Sequence, residues 1–405
     1  MKLKYTYEAG WILLTVTLIG LFYSRFLISL GTIALCFLWL VSASKKQMWM
    51  AMLRNTLTVS AWMAFAVYLI SFLNTTNNPG YWAEIKNRIP YLFFPATFIL
   101  LPRITDWRML IFLYLFLGLL VISSGWSFAY YIAHRKDITE AYAQGHIIPT
   151  VIHHVAYSYL LVSGVLLVIY MIVKNSRLWI RVLLTLILLW LIFIIHLLAI
   201  RTGIVCLYIL LPVYLGSIFV VKKAYKMLII SIVSFIVLGV ILFLTTDTIQ
   251  KKAAYVVYDL EQIQKNINAD NQLSDSRRLL SDKLGLEIAF KHPWAGVGIG
   301  DVKDEMNKLY TEKYPDFTPE TRGHIHNQFI YILAGCGFIL GIFFIINILI
   351  PLYYYFRYRH FLLGCLYLGL MLVMCWEPFL EYQVGNTIFL LILAWGINQT
   401  KNVID

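Results

Sequence analysis

The chain has 405 residues, 60% of them hydrophobic and only 13% charged, with a mean hydropathy of +0.74. Soluble domains carry about 25% charged residues, so this composition cannot cover a soluble body of such length with polar surface. A cytosolic enzyme, a DNA-binding domain and a disulfide-stapled secreted module are excluded; the fold class is an all-α polytopic membrane protein.

Charges cut the sequence into apolar runs at 9–24, 26–44, 55–83, 89–102, 109–133, 141–173, 182–200, 202–221, 227–246, 323–356, 360–376 and 382–400. A helix crossing the hydrocarbon layer needs about 20 residues, so the runs predict about 12 transmembrane helices, 89–102 being the shortest. The start, MKLKYTYEAGWILLTVTLIGLF, has the basic end and apolar run of a signal peptide but no small-x-small cleavage site. With more spans following, it is read as the first membrane helix. Cys36, Cys206, Cys336, Cys365 and Cys375 all lie in apolar stretches without paired spacing, and are read as small hydrophobes rather than disulfides or zinc ligands.

The net charge is +12. With both termini cytoplasmic, the inner segments hold 16 basic residues against three acids, and the outer segments hold 17 against 18. The excess therefore lies on one side, as the positive-inside rule requires. The basic character is topological and implies no nucleic-acid partner.

The outer segment 247–322 differs in kind, with 11 Lys/Arg and 13 Asp/Glu. A structureless connection of that length is unusual, so it is expected to be folded and functional. The chain is accordingly divided into 1–246 (helices one to nine), 247–325 (an outer loop with an amphipathic helix) and 326–405 (helices ten to twelve). In SRRLLSDKLGLEIAF, residues 276–290, Leu280, Leu284 and Ile288 recur at helical spacing, with Ser or Asp available as N-cap. Pro293 ends that helix, and GVGIGD forms a glycine-rich turn.

A few residues carry the possible chemistry. Arg201, in AIRTG, marks the outer turn between helices seven and eight. It is either a snorkelling cap or an arginine gripping an anion, since the guanidinium fork fits phosphate and keeps its charge. Arg277 and Arg278 open the loop helix, where the macrodipole disfavours cations; a bound anion would offset the repulsion. His326, in HIHNQFIYILAGCGF, is the natural proton acceptor near neutral pH, a role that contributes about 10²–10⁴-fold. Asn327 and Gln328 can hydrogen-bond sugar hydroxyls. His324 is expected to point elsewhere if that stretch is helical, and ranks second. Glu377 and Glu381, in CWEPFLEYQVGN, sit at the outer mouth, where carboxylates default to functional candidates; they can pair with an arginine or assist the base. HIIPTVIHH holds His146, His153 and His154 without acids or cysteines at ligand spacing, and no metal is expected. Asp301 and Asp304 are read as surface residues.

SRRLLSDKLGLEIAFKHPWAGVGIGD, followed after a variable stretch by HIHNQFIYILAGCGFILGI, resembles the O-antigen ligase and polymerase superfamily. Its members have an arginine opening a helix, then a turn of the form hPxxGvGxGd, then HNxxLxxlxxxGxxG. The resemblance covers the outer loop and helix ten, and AIRTG agrees with it. A tryptophan common shortly after the family's arginine is replaced here by Asp282.

The resemblance implies a membrane glycosyltransferase of the class C type, using no cofactor or metal. It would take a glycan from undecaprenyl pyrophosphate at the periplasmic face of a bacterial inner membrane. The family's pyrophosphate-gripping arginines would fall on Arg201 and on Arg278, with Arg277 the alternative, and its essential histidine on His326. The expected acceptor is lipid A-core oligosaccharide, making an inverting O-antigen ligase. The alternatives are a repeat-unit polymerase, a protein O-oligosaccharyltransferase and, from another class, a lipid-linked sugar transporter. The last requires cations within the spans, whereas here they stand at span ends.

Overall fold

The computed structural model describes residues 2–41, 52–100, 106–138, 148–245, 250–251, 253–254, 257–258 and 274–400. Among these there is no strand, and the chain is a succession of helices. Among the described residues each of the twelve apolar runs overlaps a helix, and the run 55–83 takes in more than one. Seven of those helices are long and apolar enough to cross a membrane: Thr56–Asn74, Trp107–Ala133, His154–Lys174, Leu178–Leu198, Arg201–Val221, Tyr225–Thr245 and Gln328–Arg357. Tyr7–Tyr23, Arg25–Leu38 and Phe361–Met374 are apolar but shorter, as are Pro90–Leu100 and Gln383–Thr400. The outer-loop stretch 259–273 and His146 lie outside the described residues.

Two compact units interleave along the sequence: one takes in Met1–Asp106, Ile267–Tyr358 and Met374–Asp405, the other Trp107–Asn266 and Arg359–Val373. In the second, His154–Lys174 is the central helix, and every residue from 155 to 168 is buried. Its neighbours approach through small residues: Gly203 lies against Ser158, and Gly369 against Tyr159. In lipid, helix association depends on such close packing. Tyr159 Oη also donates to the carbonyl of Leu366, at 2.7 Å.

The first unit carries the outer loop from residue 274 onward. The predicted loop helix is observed as α1, Ser274–Lys291, with Leu280, Leu284 and Ile288 buried. A second loop helix, α2, Val302–Lys313, was not predicted. It turns Val302, Met306, Leu309 and Tyr310 inward, and these residues, with the buried face of α1, Phe317 and Ile325, form one apolar core.

That core is fastened to helix α3, Gln328–Arg357, at a deliberate break. Gly337 has φ 74° and ψ 177°, which interrupts the helix. The carbonyls freed by the break accept from the glycine-rich turn: Val297 N–H to Ala334 at 3.0 Å and Gly298 N–H to Gly335 at 2.8 Å, while Phe338 N–H donates to Pro293 at 2.7 Å. Backbone groups at membrane depth must find such partners. A Cβ at Gly296 would run into the backbone of Gly335 and Cys336. Asp301 is correspondingly not a surface residue. It is buried and accepts from the N–H groups of Thr76 (2.7 Å) and Asn77 (2.9 Å), so its carboxylate pins the turn to that loop. Asp304 accepts from Asn77 Nδ2 on the exposed side.

Candidate active site

The site is built where α1, the start of α3 and the turn 375–382 converge, all within the first unit. Asn327 caps α3, its Oδ1 accepting from Phe329 N–H (2.9 Å) and Ile330 N–H (3.2 Å). The helix therefore begins at Gln328, and 324–327 lies outside it, with Asn327 itself extended. His324 does not point elsewhere: its ring lies 4.2 Å from that of His326. This corrects the helical reading of that stretch.

Glu377 is the centre of the cluster and is almost fully buried. Its Oε1 accepts from Arg278 Nη2 at 2.7 Å, and its Oε2 lies 3.4 Å from His326 Nδ1. His324 Nε2 meets Tyr382 Oη at 3.0 Å. On the opposite side, one oxygen of Asp282 accepts the backbone N–H of His326 at 2.7 Å and of Asn327 at 3.1 Å. Burial raises the Asp282 carboxyl above its usual range, and these N–H groups, the His326 ring and Arg278 offset this only in part. A carboxylate thus fixes the histidine backbone, and a second one orients its ring.

Asn327 spends its Nδ2 on the carbonyl of Cys375, at 3.0 Å. Gln328 is fully buried. Its Nε2 donates to Glu381 (2.7 Å) and its Oε1 accepts from Leu380 N–H (2.8 Å), so it braces the turn from inside instead of facing a sugar. Glu381 pairs with Arg88, which also holds Glu84 at 2.9 Å. Burial and the neighbouring Glu381 raise the Glu84 carboxyl, whereas Arg88 and hydrogen bonds from Glu84 and Gln328 overcome burial to keep Glu381 low. Sequence reasoning missed Arg88 and Glu84; the one signal was their place beside the shortest apolar run.

Arg277 is partly buried beside Arg278, close enough to Tyr310 to act on it electrostatically. Arg201 belongs to the second unit and opens the helix Arg201–Val221, two residues after Ala199 in the left-handed conformation (φ 48°).

His324, His326 and Glu377 bring possible ligand atoms within 4.8 Å of one another, a spacing that can hold a metal ion. Arg278 already supplies positive charge to Glu377 at that point. An arginine cannot lose its proton, so a metal would compete with a permanent cation.

Residues 165–345 match the O-antigen ligase family model. Over that stretch the chain is similar to the O-antigen ligase-like superfamily. The matched stretch contains Arg201, Arg277, Arg278, His324, His326, Asn327 and Gln328, and stops short of Glu377 and Glu381. That family consists of membrane glycosyltransferase-like ligases and polymerases; the several apolar helices of this chain mark it as a multi-pass membrane protein. No curated protein matches the chain.

Proposed function

We propose that this protein is an O-antigen ligase. It transfers a glycan from undecaprenyl pyrophosphate to lipid A-core oligosaccharide at the periplasmic face of the bacterial inner membrane, within a class C-type arrangement of twelve crossings. The observation that carries the reading is His326 held by Glu377, with Arg278 on the same carboxylate.

The chemistry follows from that arrangement. With Nδ1–H directed at Glu377, His326 keeps the lone pair on Nε2, and the carboxylate stabilises the imidazolium that forms. Nε2 takes the proton of the acceptor hydroxyl as that oxygen attacks the anomeric carbon. The bond from that carbon to the pyrophosphate oxygen breaks on the opposite face, so configuration inverts. Arg278 stabilises the charge gathering on the leaving group, with Arg277 as reserve; Arg201 is the second pyrophosphate-gripping arginine that the family resemblance implies. Glu377 occupies one nitrogen of Arg278, leaving the rest of its fork for phosphate oxygens. Pyrophosphate leaves readily, so neither a nucleotide nor a metal enters the reaction.

The test is a lipopolysaccharide gel from a strain lacking the gene, complemented with wild type or His326→Ala and blotted for glycan. A ligase predicts a bare lipid A-core band, polymer accumulating on the lipid carrier, and rescue by wild type alone. Core bearing a single repeat unit identifies a polymerase. An unchanged ladder sends the search to a protein acceptor.

A further inference from the structure

The buried ion cluster behind the site is used by none of the chemistry above. Arg88, at the end of the helix Asn78–Arg88, is fully buried. One guanidinium nitrogen donates to the Glu84 carboxylate and backbone carbonyl, the other to Glu381, and the group lies 3.9 Å over the Tyr68 ring. Tyr68 Oη donates to the other oxygen of Glu381 at 3.1 Å, which Gln328 Nε2 also reaches.

Such a cluster is a poor choice for holding a fold, because apolar residues of equal volume usually do as well or better. What it does offer is a fixed direction for each group it holds. Two of those groups lead straight to the site: Glu381 is four residues beyond Glu377 on the same short turn, and Gln328 is two residues beyond His326. Gln328 also binds Leu380 N–H, so the turn and the start of α3 are tied to each other and to Arg88 at one point. Glu377 and His326 are the two arms extending from that knot.

We propose that Arg88 is a positioning residue: acting through Glu381 and Gln328, it sets the Glu377 carboxylate against the His326 ring. The inference rests on the reading of His326 as the base. A displacement of about 1 Å in a reacting group can cost ~10²-fold in rate, so a knot that touches no substrate still controls turnover.

The experiment uses the purified full chain with donor and lipid A-core extracted from the deletion strain. Arg88→Met/Glu381→Gln/Glu84→Gln removes the cation together with both of its carboxylate partners and leaves no unpaired ion. It is expected to remain folded while kcat falls at least about tenfold and the donor KM stays within about threefold. Arg88→Lys, which keeps one cation against Glu381, is expected to recover part of that loss. The proposal is overturned if both variants turn over within about twofold of wild type per folded molecule, if KM rises with kcat unchanged, or if neither yields folded protein. His326→Ala is assayed alongside. An active His326→Ala removes the reading of the base; an inactive one beside active Arg88 variants removes the positioning role alone.

Discussion

Glu377 holds an arginine with one oxygen and faces a histidine with the other, so a change there should disturb both partners. Glu377→Gln keeps the shape but not the charge. It is expected to lower kcat about 10²-fold while folded yield is retained, as read from transfer kinetics on protein that elutes normally by gel filtration. Arg278→Lys is expected to lose at least tenfold in transfer, because a point charge cannot replace the fork; wild-type turnover would reduce Arg278 to a structural partner of Glu377. Asp282 gives a contrast. Its carboxyl is raised by burial, so the folded state holds the proton more tightly than the unfolded chain does. The ionised form therefore costs stability, which is present in acid and lost as pH rises from the ordinary aspartate value through the raised one. Asp282→Asn keeps an acceptor for the two N–H groups without that cost. It should match or exceed the wild-type melting temperature at neutral pH and retain transfer, whereas Asp282→Ala leaves both donors unpaired at about 1–3 kcal/mol and should lose activity.

At the scale of elements, the break in Gln328–Arg357 matters more than its length. Gly337 takes a backbone conformation that side chains rarely adopt, and a Cβ there would meet the backbone of Trp294 and Ala295. Gly337→Ala is expected to cost about 1–3 kcal/mol and to loosen the docking of 293–298, seen as a lower melting temperature and faster proteolysis in 274–322. The family motif thus has a packing reason: its glycines let the loop backbone lie on the helix backbone. The α1 face could be read in advance, because Leu280, Leu284 and Ile288 are local and periodic. Helix α2 carries a similar signal in Val302, Met306, Leu309 and Tyr310, obscured by its many charges. His324 was misplaced because the helix start depends on Asn327 as cap, and moving that start by a few residues reverses which side chains share a face.

Over the whole molecule, composition already demands a multi-pass protein, and the one-sided charge predicts that its soluble loop lies outside. Lys303 is exposed on α2, so Lys303→Cys in a Cys375→Ser background should react with an impermeant maleimide added outside intact spheroplasts. Reaction from the cytoplasmic side alone would reverse the orientation and with it the proposed periplasmic chemistry. By itself, the sequence determined the apolar runs, the amphipathic loop helix and the residue types able to grip an anion or accept a proton, because each is a local pattern of polarity or charge. Only the tertiary structure decided that Glu377 meets Arg278, 99 residues away, that Gln328 turns inward, and that Arg88 is buried behind the site. Such pairings depend on which distant segments pack together, and burial makes a charge find a partner wherever in the chain that partner lies.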